Sequence, residues 1–426
     1  MKRREFLRVI GGAGFAACGL LTQSGCAPSV VEPDPSTGLS LGYVAGEVTP
    51  DSALIWLRAE PQSKVAIQYT THAGFGEFIS TAAHPVDAAA DSTVNILLAG
   101  LRPSTRYYYR ARVAGRAPGA IASFVTAPRP NDSAKVVFCF SGDTRESYRP
   151  FSVMEAVRRQ RPDFFLHLGD TIYADRNGRA RRPEEFWAKY RSNRSDAATQ
   201  QCFGETCVYA TWDDHEVAND YLPAHPLAPI GQKAFLDYWP VLRVSSERGR
   251  IYRSFRWGKA AELFVLDTRQ YRDLRIGSML GENQKEWLFD GLARSSALFK
   301  FVATPVPMAG GGRDRWDGYP RERQEILRFI NDKKIPGVVF LSADLHYAAI
   351  TKIPNGGGLR DITAGPLGAP LNRVTNGAAG RYEFFFAENF NFAKVTVDPK
   401  HNSGTALVEF IDQDNRVFHG AKISAK

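Results

Sequence analysis

At 426 residues the chain is long enough for two domains behind a leader, and its 44% hydrophobic and 12% aromatic content excludes a disordered polymer. Lys and Arg outnumber Asp and Glu by 54 to 45, a formal charge of +9 that suits an anionic substrate. No Lys/Arg block is interleaved with aromatics, so recognition of nucleic acid by charge has no support and no nucleic-acid partner is expected other than as a substrate.

Residues 1–26 read as an export signal. Lys2, Arg3, Arg4 and Arg8 precede an apolar run from Val9 to Leu21 that is too short to span a bilayer. Arg3-Arg4 followed by Phe6-Leu7 matches the twin-arginine type. The expected partner is therefore the twin-arginine export machinery, and the expected location is the periplasm or the extracellular space. Cys26 stands where a lipoprotein would be cleaved. Gln23 departs from the Leu or Val a lipobox prefers, so simple cleavage is the expectation and lipid anchoring the alternative. Three cysteines then remain. Cys202 and Cys207 are close enough in sequence to bridge in an oxidising compartment, and Cys139 lies in an apolar strand-like run.

Residues 27–37, with Pro28, Pro33 and Pro35, form a linker. Residues 38–128 hold short strand-like runs at 41–48, 52–59, 64–70, 92–98, 107–113 and 122–125, the pattern of a small β-sandwich. Within it, Leu101-Arg-Pro-Ser-Thr-Arg-Tyr107 resembles the corner of fibronectin type III-like domains, where a Tyr hydroxyl ties back to backbone. That is a structural role, and no catalytic constellation accompanies it.

Beyond the turn at Pro128–Asp132, residues 133–426 alternate strands with helical periodicity, which predicts an α/β core. Strands are expected at 135–140, 163–168, 208–212, 261–267, 299–304 and 338–342. Helices are expected at 151–160, 183–192, 282–294 and 321–332. Hairpin-forming strands from Phe392 onward add to a sheet.

Four short clusters carry the chemistry. Asp143 and Asp170 each follow an apolar strand and a Gly, which projects a carboxylate from the C-terminal strand edge, where α/β folds place ligands. Tyr173 is three residues beyond Asp170, and a phenolate there suits an acidic cation such as ferric iron. Trp212-Asp-Asp-His-Glu216, with Asn219 beyond it, is too acidic to bury without cations. Asp344 and His346 follow the last buried strand. His215 and His346, beside carboxylates, are each a ligand or a general acid.

Gly-Asp, Gly-Asp-x-x-Tyr, Asp-His-Glu and Asp-x-His in this order resemble the calcineurin-like metallophosphoesterases. Gly169-Asp-Thr-Ile-Tyr173, Trp212-Asp-Asp-His-Glu-Val217, Leu266-Asp-Thr-Arg-Gln-Tyr-Arg272 and Asp314-Arg-Trp-Asp-Gly-Tyr-Pro-Arg-Glu-Arg323 resemble, within that superfamily, the alkaline phosphatase D (PhoD-like) family. The resemblance implies a four-layer αββα sandwich behind a fibronectin type III-like β-sandwich. It also implies hydrolysis of a small-molecule phosphate ester, monoester or diester, by a metal-activated hydroxide or oxo nucleophile, with a monomer expected. It places ferric iron on Asp143 and Tyr173, makes Asp170 a bridge, puts Asp214 or Asn219 on a calcium site, and completes the cluster with Asp344 and His346. His215 would orient phosphate or protonate the leaving group. Asp143 stands where the family often has a Cys, and this all-oxygen position also suits calcium alone, manganese or a mixed centre. Arg145 either touches a phosphate oxygen or is a surface residue paired with Glu146, and Arg269 either faces substrate or forms a structural ion pair. The alternative activity is that of a phosphodiesterase or phospholipase D-like hydrolase. A non-catalytic phosphate-binding or adhesive protein would not need the four clusters.

Overall fold

In the computed structural model, residues 30–247, 249–310, 312–373, 382–401 and 404–425 are described. The leader and Cys26 lie outside them.

Two mixed sheets form the centre. The first has nine strands, in the order Val417–Ser424, Thr405–Asp412, Asn391–Val397, Val136–Ser141, Phe164–Leu168, Cys207–Thr211, Leu39–Gly46, Ser52–Ala59 and Thr93–Ala99. The second has seven, in the order Arg253–Trp257, Ala261–Val265, Phe299–Ala303, Val338–Ser342, Arg360–Thr363, Ala348–Lys352 and Tyr382–Phe386. Each contains a parallel core: the strands beginning at Val136, Phe164 and Cys207 in one, and those beginning at Ala261, Phe299, Val338 and Arg360 in the other. Parallel strands covered on both faces read as nearly continuous apolar runs, as Phe164-Phe-Leu-His-Leu168 does.

Period-two alternation sorts these side chains. Phe164, Leu166 and Leu168 point into the layer between the sheets, while Phe165 points to the helices outside. Between the sheets Phe138 stacks on Phe164 at 4.7 Å and meets Phe301 edge-on at 5.0 Å. Helices Ser152–Arg159, Pro183–Arg194, Ala197–Glu205 and Ala228–Tyr238 supply the outer core of the nine-stranded sheet. Gly281–Arg294 and Pro320–Asp332 cover the other sheet. This is the expected αββα layering.

The N-terminal strands do not close on themselves. Leu39–Gly46 joins the catalytic sheet in parallel through Ala45 opposite Cys207, bringing Ser52–Ala59 and Thr93–Ala99 with it. A separate five-stranded sheet built on Lys64–Thr70 and Arg106–Val113 completes the N-terminal β-rich region. The Trp56 indole N–H reinforces the join by donating to the Asp237 carbonyl at 2.7 Å, and the Tyr209 hydroxyl donates to the Val48 carbonyl at 2.7 Å. The tyrosine corner forms as expected, with the Arg102 N–H donating to the Tyr107 hydroxyl at 2.9 Å.

The sequence leaves open whether Cys202 and Cys207 are bridged, and the structure shows that they are not. Both are free thiols, Cys202 in the helix-side core and Cys207 in the core between the sheets, so the sheet lies between their side chains. Burial pushes both thiols, and that of Cys139, up from their ordinary value, which keeps them protonated and unreactive. Without reductant, an alkylating reagent is therefore expected to leave Cys139, Cys202 and Cys207 unmodified in the native protein and to modify all three after denaturation. A mass spectrum retaining a 202–207 bridge would contradict the fold described here.

Candidate active site

The C-terminal ends of the parallel strands converge at one edge of the sandwich. The turns there are held in uncommon backbone geometry: Asp143, Asp170, Asp344 and His346 have φ of 68°, 52°, 63° and 58°. Left-handed backbone at residues other than glycine costs on the order of 1 kcal/mol or more each, and it clusters at functional sites. Gly169, at φ 91°, must lack a side chain, because a Cβ there would stand 2.6 Å from Asp213 Cβ. That close approach lets the second and third turns share one acidic floor.

Glu216 ties this floor together. Its carboxylate accepts from the N–H groups of Asp170 at 3.0 Å, Thr171 at 2.6 Å and Asp213 at 2.8 Å. The first and second turns are cross-bonded as well, Thr144 N–H donating to the Asp170 carbonyl at 2.9 Å. Burial raises the Glu216 carboxyl to about 7 against the pull of these three N–H groups.

Above this floor, donor atoms of Asp143, Asp170 and His346 lie within 4.8 Å of one another, as do those of Asp170, Asp214 and His215, and those of Asp213, Asp214 and Asp344. Burial, reinforced by neighbouring carboxylates, pushes Asp143 up and Asp170 well up from the ordinary carboxylate range. For Asp214 burial acts in the same direction but is outweighed by Arg269 and His215, which hold it below its usual value. Both Asp143 carboxylate oxygens and Asp214 Oδ1 are buried with no hydrogen-bond partner. Orphaned carboxylate oxygens are costly in a protein interior, and cations are the groups that would satisfy them. The oxygen-rich donor set with imidazole therefore fits hard cations.

Second partners fix the two histidines. His346 Nδ1 donates to the Pro370 carbonyl at 2.6 Å, which turns Nε2 toward the Tyr173 hydroxyl at 3.1 Å and Asp143 Oδ1 at 3.5 Å. His215 Nδ1 pairs with Asp175 Oδ1 at 2.7 Å, and the imidazole stacks on the Tyr173 ring at 4.2 Å. Burial lowers the pKa of His215, but the Asp175 bond and the Asp214 charge raise it further, so the net shift is upward. Burial and the surrounding carboxylates push the Tyr173 phenol well up, so a phenolate there needs a cation beside it.

Several expectations sharpen. Of the two alternatives for the second position, Asp214 lies in the cluster. The Asn219 side chain faces Arg176 at 3.2 Å on the exposed rim. Asp344 joins the cluster, but both its oxygens are also forked by Arg315 at 2.6 and 2.8 Å. Arg145 does not pair with Glu146, which binds Lys189 at 2.5 Å. The Arg145 guanidinium instead sits 5.8 Å from the Tyr173 ring centre and donates to Asn177 at 3.1 Å, at the mouth of the site.

Of the two alternatives for Arg269, the structure shows the structural ion pair and not the substrate-facing side chain. Its side chain is 0% exposed and lies 2.5 Å from Asp213, 2.9 Å from Asp314 and 3.9 Å from Asp214. Its charge holds the carboxylate floor together from beneath. Asp175 and Arg315 were not singled out from the sequence. Asp175 stands two residues beyond the Gly169–Tyr173 string and Arg315 inside the Asp314–Arg323 string, but their partners lie 40 and 29 residues away.

A PhoD-like phosphatase family model matches residues 137–369, and the model of the PhoD-like N-terminal domain matches residues 25–128. The chain belongs to the PhoD-like phosphatase family. It is 25% identical over 417 residues to alkaline phosphatase D of Bacillus subtilis (strain 168), covering 81% of this chain and 71% of that protein. A solved structure of PhoD superposes with a TM-score of 0.80 at 21% identity, covering 93% of this chain and 94% of the other. A purple acid phosphatase from yellow lupin (Lupinus luteus) seeds superposes with a TM-score of 0.67 at 15% identity, covering 90% of this chain and 74% of the other, so the metallophosphoesterase fold is shared.

Replacing Arg269 by Met leaves Asp213 without its guanidinium partner and removes a charge beside Asp214, while Asp314 keeps its pair with Arg272. It is expected to lower the unfolding free energy of chelator-treated protein by about 3–5 kcal/mol in urea titration. A loss below about 1 kcal/mol would show that the ion pairs do not hold the floor.

Proposed function

We propose that this chain is an exported, metal-dependent phosphoesterase acting on small phosphate esters. The observation that carries the reading is the set of orphaned, buried oxygens on Asp143 and Asp214, facing a histidine-flanked cluster and left without protein donors. Asp143, Tyr173 and His346 would hold one cation, Asp170 would bridge, and Asp214 with Asp344 would hold the second. Ferric iron and calcium are the proposed pair, with manganese the alternative for an all-oxygen first position. Cations so bound polarise a phosphoryl group and lower the pKa of water.

The chain's own residues do the rest. Arg145, at the mouth, binds phosphate oxygens in a charge-assisted contact. Asp175 holds the Nδ1 proton of His215, so the opposite ring nitrogen is the one available to the ester. The Asp175 bond and the Asp214 charge shift its pKa upward despite burial, which favours the protonated imidazole that can pass a proton to the leaving alkoxide. The membership in a phosphatase family and the relative named alkaline phosphatase D support hydrolysis of phosphate esters. The twin-arginine pattern at Arg3-Arg4 supports export to the periplasm or beyond.

General-acid catalysis is read from the dependence on leaving group. His215→Ala is expected to lower kcat about 10²–10⁴-fold on an alkyl phosphate, and far less on a nitrophenyl phosphate whose leaving group needs no proton. Equal losses on both would assign His215 to binding instead. Parallel rates on a monoester and a diester decide which ester class the site prefers.

A further inference from the structure

The Arg145 side chain is steadied at the mouth of the site by Asn177, to whose Oδ1 it donates at 3.1 Å. Asn177 lies on an exposed loop and has φ of 48°, with Gly178 beside it at 87°. Backbone in such geometry persists where its surroundings pin it. The pin is Lys189, on the helix Pro183–Arg194. Its ammonium donates to the Arg176 carbonyl at 2.6 Å, the Asn177 carbonyl at 3.1 Å and Glu146 Oε1 at 2.5 Å. An ammonium has three hydrogens, and these three acceptors take them all. The Lys189 and Glu146 side chains are only 12% and 13% exposed, so water competes little for the contacts.

The acceptors belong to the two segments that set Arg145. Glu146 follows Arg145 and opens the short helical turn Glu146–Tyr148. The two carbonyls belong to the loop that supplies the side-chain partner of Arg145. Lys189 therefore fixes the backbone at one end of Arg145 relative to the amide at the other. The turn has a second tie to the same helix, Arg149 donating to the Ser192 carbonyl at 2.8 Å. Asp175, one residue before the pinned loop, has ties of its own. Its carboxylate meets His215 Nδ1 at 2.7 Å and accepts from the Asn219 N–H at 3.1 Å, and the Ala174 N–H donates to the His215 carbonyl at 2.8 Å. Loss of the Lys189 ammonium would thus loosen the loop at Asn177 and leave the Asp175–His215 pair in place.

We propose that Lys189 is a positioning residue for phosphate binding that acts through Arg145, an inference that rests on the phosphate role given to Arg145 above. Lys189 itself has no hydrogen left to offer a phosphate. A guanidinium already held in one orientation has less freedom to lose when it meets an anion. The effect falls on binding and not on proton transfer, because Lys189 controls the partner of Arg145 and not that of His215.

The test is steady-state kinetics of the full-length, metal-loaded protein on one phosphate monoester, with inorganic phosphate as inhibitor. Arg145→Met is expected to raise KM and the Ki of phosphate together, about 10–100-fold. Lys189→Met is expected to raise both about 3–10-fold with kcat within about twofold, and to add nothing in the Arg145→Met background. An unchanged KM in Lys189→Met overturns the inference, and so does an equal rise in both backgrounds, which would make Lys189 a purely structural residue. An unchanged KM in Arg145→Met removes the phosphate role of Arg145 and the inference with it. If Lys189→Met does not fold, Asn177→Gly, which keeps a residue suited to φ of 48°, breaks the same linkage at the exposed loop. It too is expected to raise KM in the parent and not in Arg145→Met, and an equal rise in both overturns the inference.

Discussion

The constraint on which this structure rests is the electrostatic cost of crowding carboxylates in an interior. Asp143, Asp170, Asp213, Asp214 and Asp344 are all buried at one edge of the sandwich. Like charges at such separations repel strongly where water is scarce, and burial penalises each one separately. Arg269 from below and Arg315 from the side offset part of that cost, and the Glu216 carboxylate is held by three backbone N–H groups. What remains uncompensated is concentrated on Asp143, Asp170 and one oxygen of Asp214. The protein has therefore spent its own cations on the floor and rim of the cluster and left its centre for ions from outside.

The two sheets exist, in functional terms, to bring those carboxylates together. Three parallel strands of one sheet deliver Asp143, Asp170 and Asp214, and the strand Val338–Ser342 of the other delivers Asp344 and His346. The groups Asp143–Asp170–His346 and Asp213–Asp214–Asp344 each draw on both sheets. The aromatic layer of Phe138, Phe164 and Phe301 sets the spacing between them, so a change in core packing there would be felt at the site. The N-terminal strands contribute by extending the nine-stranded sheet, and Trp56 ties them to the helix Ala228–Tyr238 through the Asp237 carbonyl.

Much of this was legible in the sequence, for local reasons. An apolar run followed by Gly-Asp reports a strand end and a sharp turn, and both Gly-Asp pairs are placed so. The tyrosine corner was equally local. What escaped was long-range or weakly patterned. The Asp175–His215 and Arg315–Asp344 pairs join residues that only the tertiary fold brings together. For Arg269 the strand-end turn allows either a substrate contact or an ion pair, and nothing local shows that Asp213 and Asp314 enclose it. The helix Ala228–Tyr238 has Pro and Gly in its first turns and little amphipathic signal, and the helix Ala197–Glu205 is similarly weak. The continuity of the sheets rests on a single register, Ala45 opposite Cys207, which no periodicity discloses. The separation of Cys202 from Cys207 follows from the sheet between their side chains, which spacing alone could not reveal.

The account stands or falls on whether the buried cluster is a cation site that works on phosphate esters. The most direct measurement is metal content and phosphate-ester turnover on one preparation, before chelation, after it, and after re-addition of calcium with ferric iron or of manganese. The expected result is roughly two ions per chain in the active protein, loss of both metal and turnover on chelation, and joint recovery on re-addition. Full turnover by metal-free protein would contradict it.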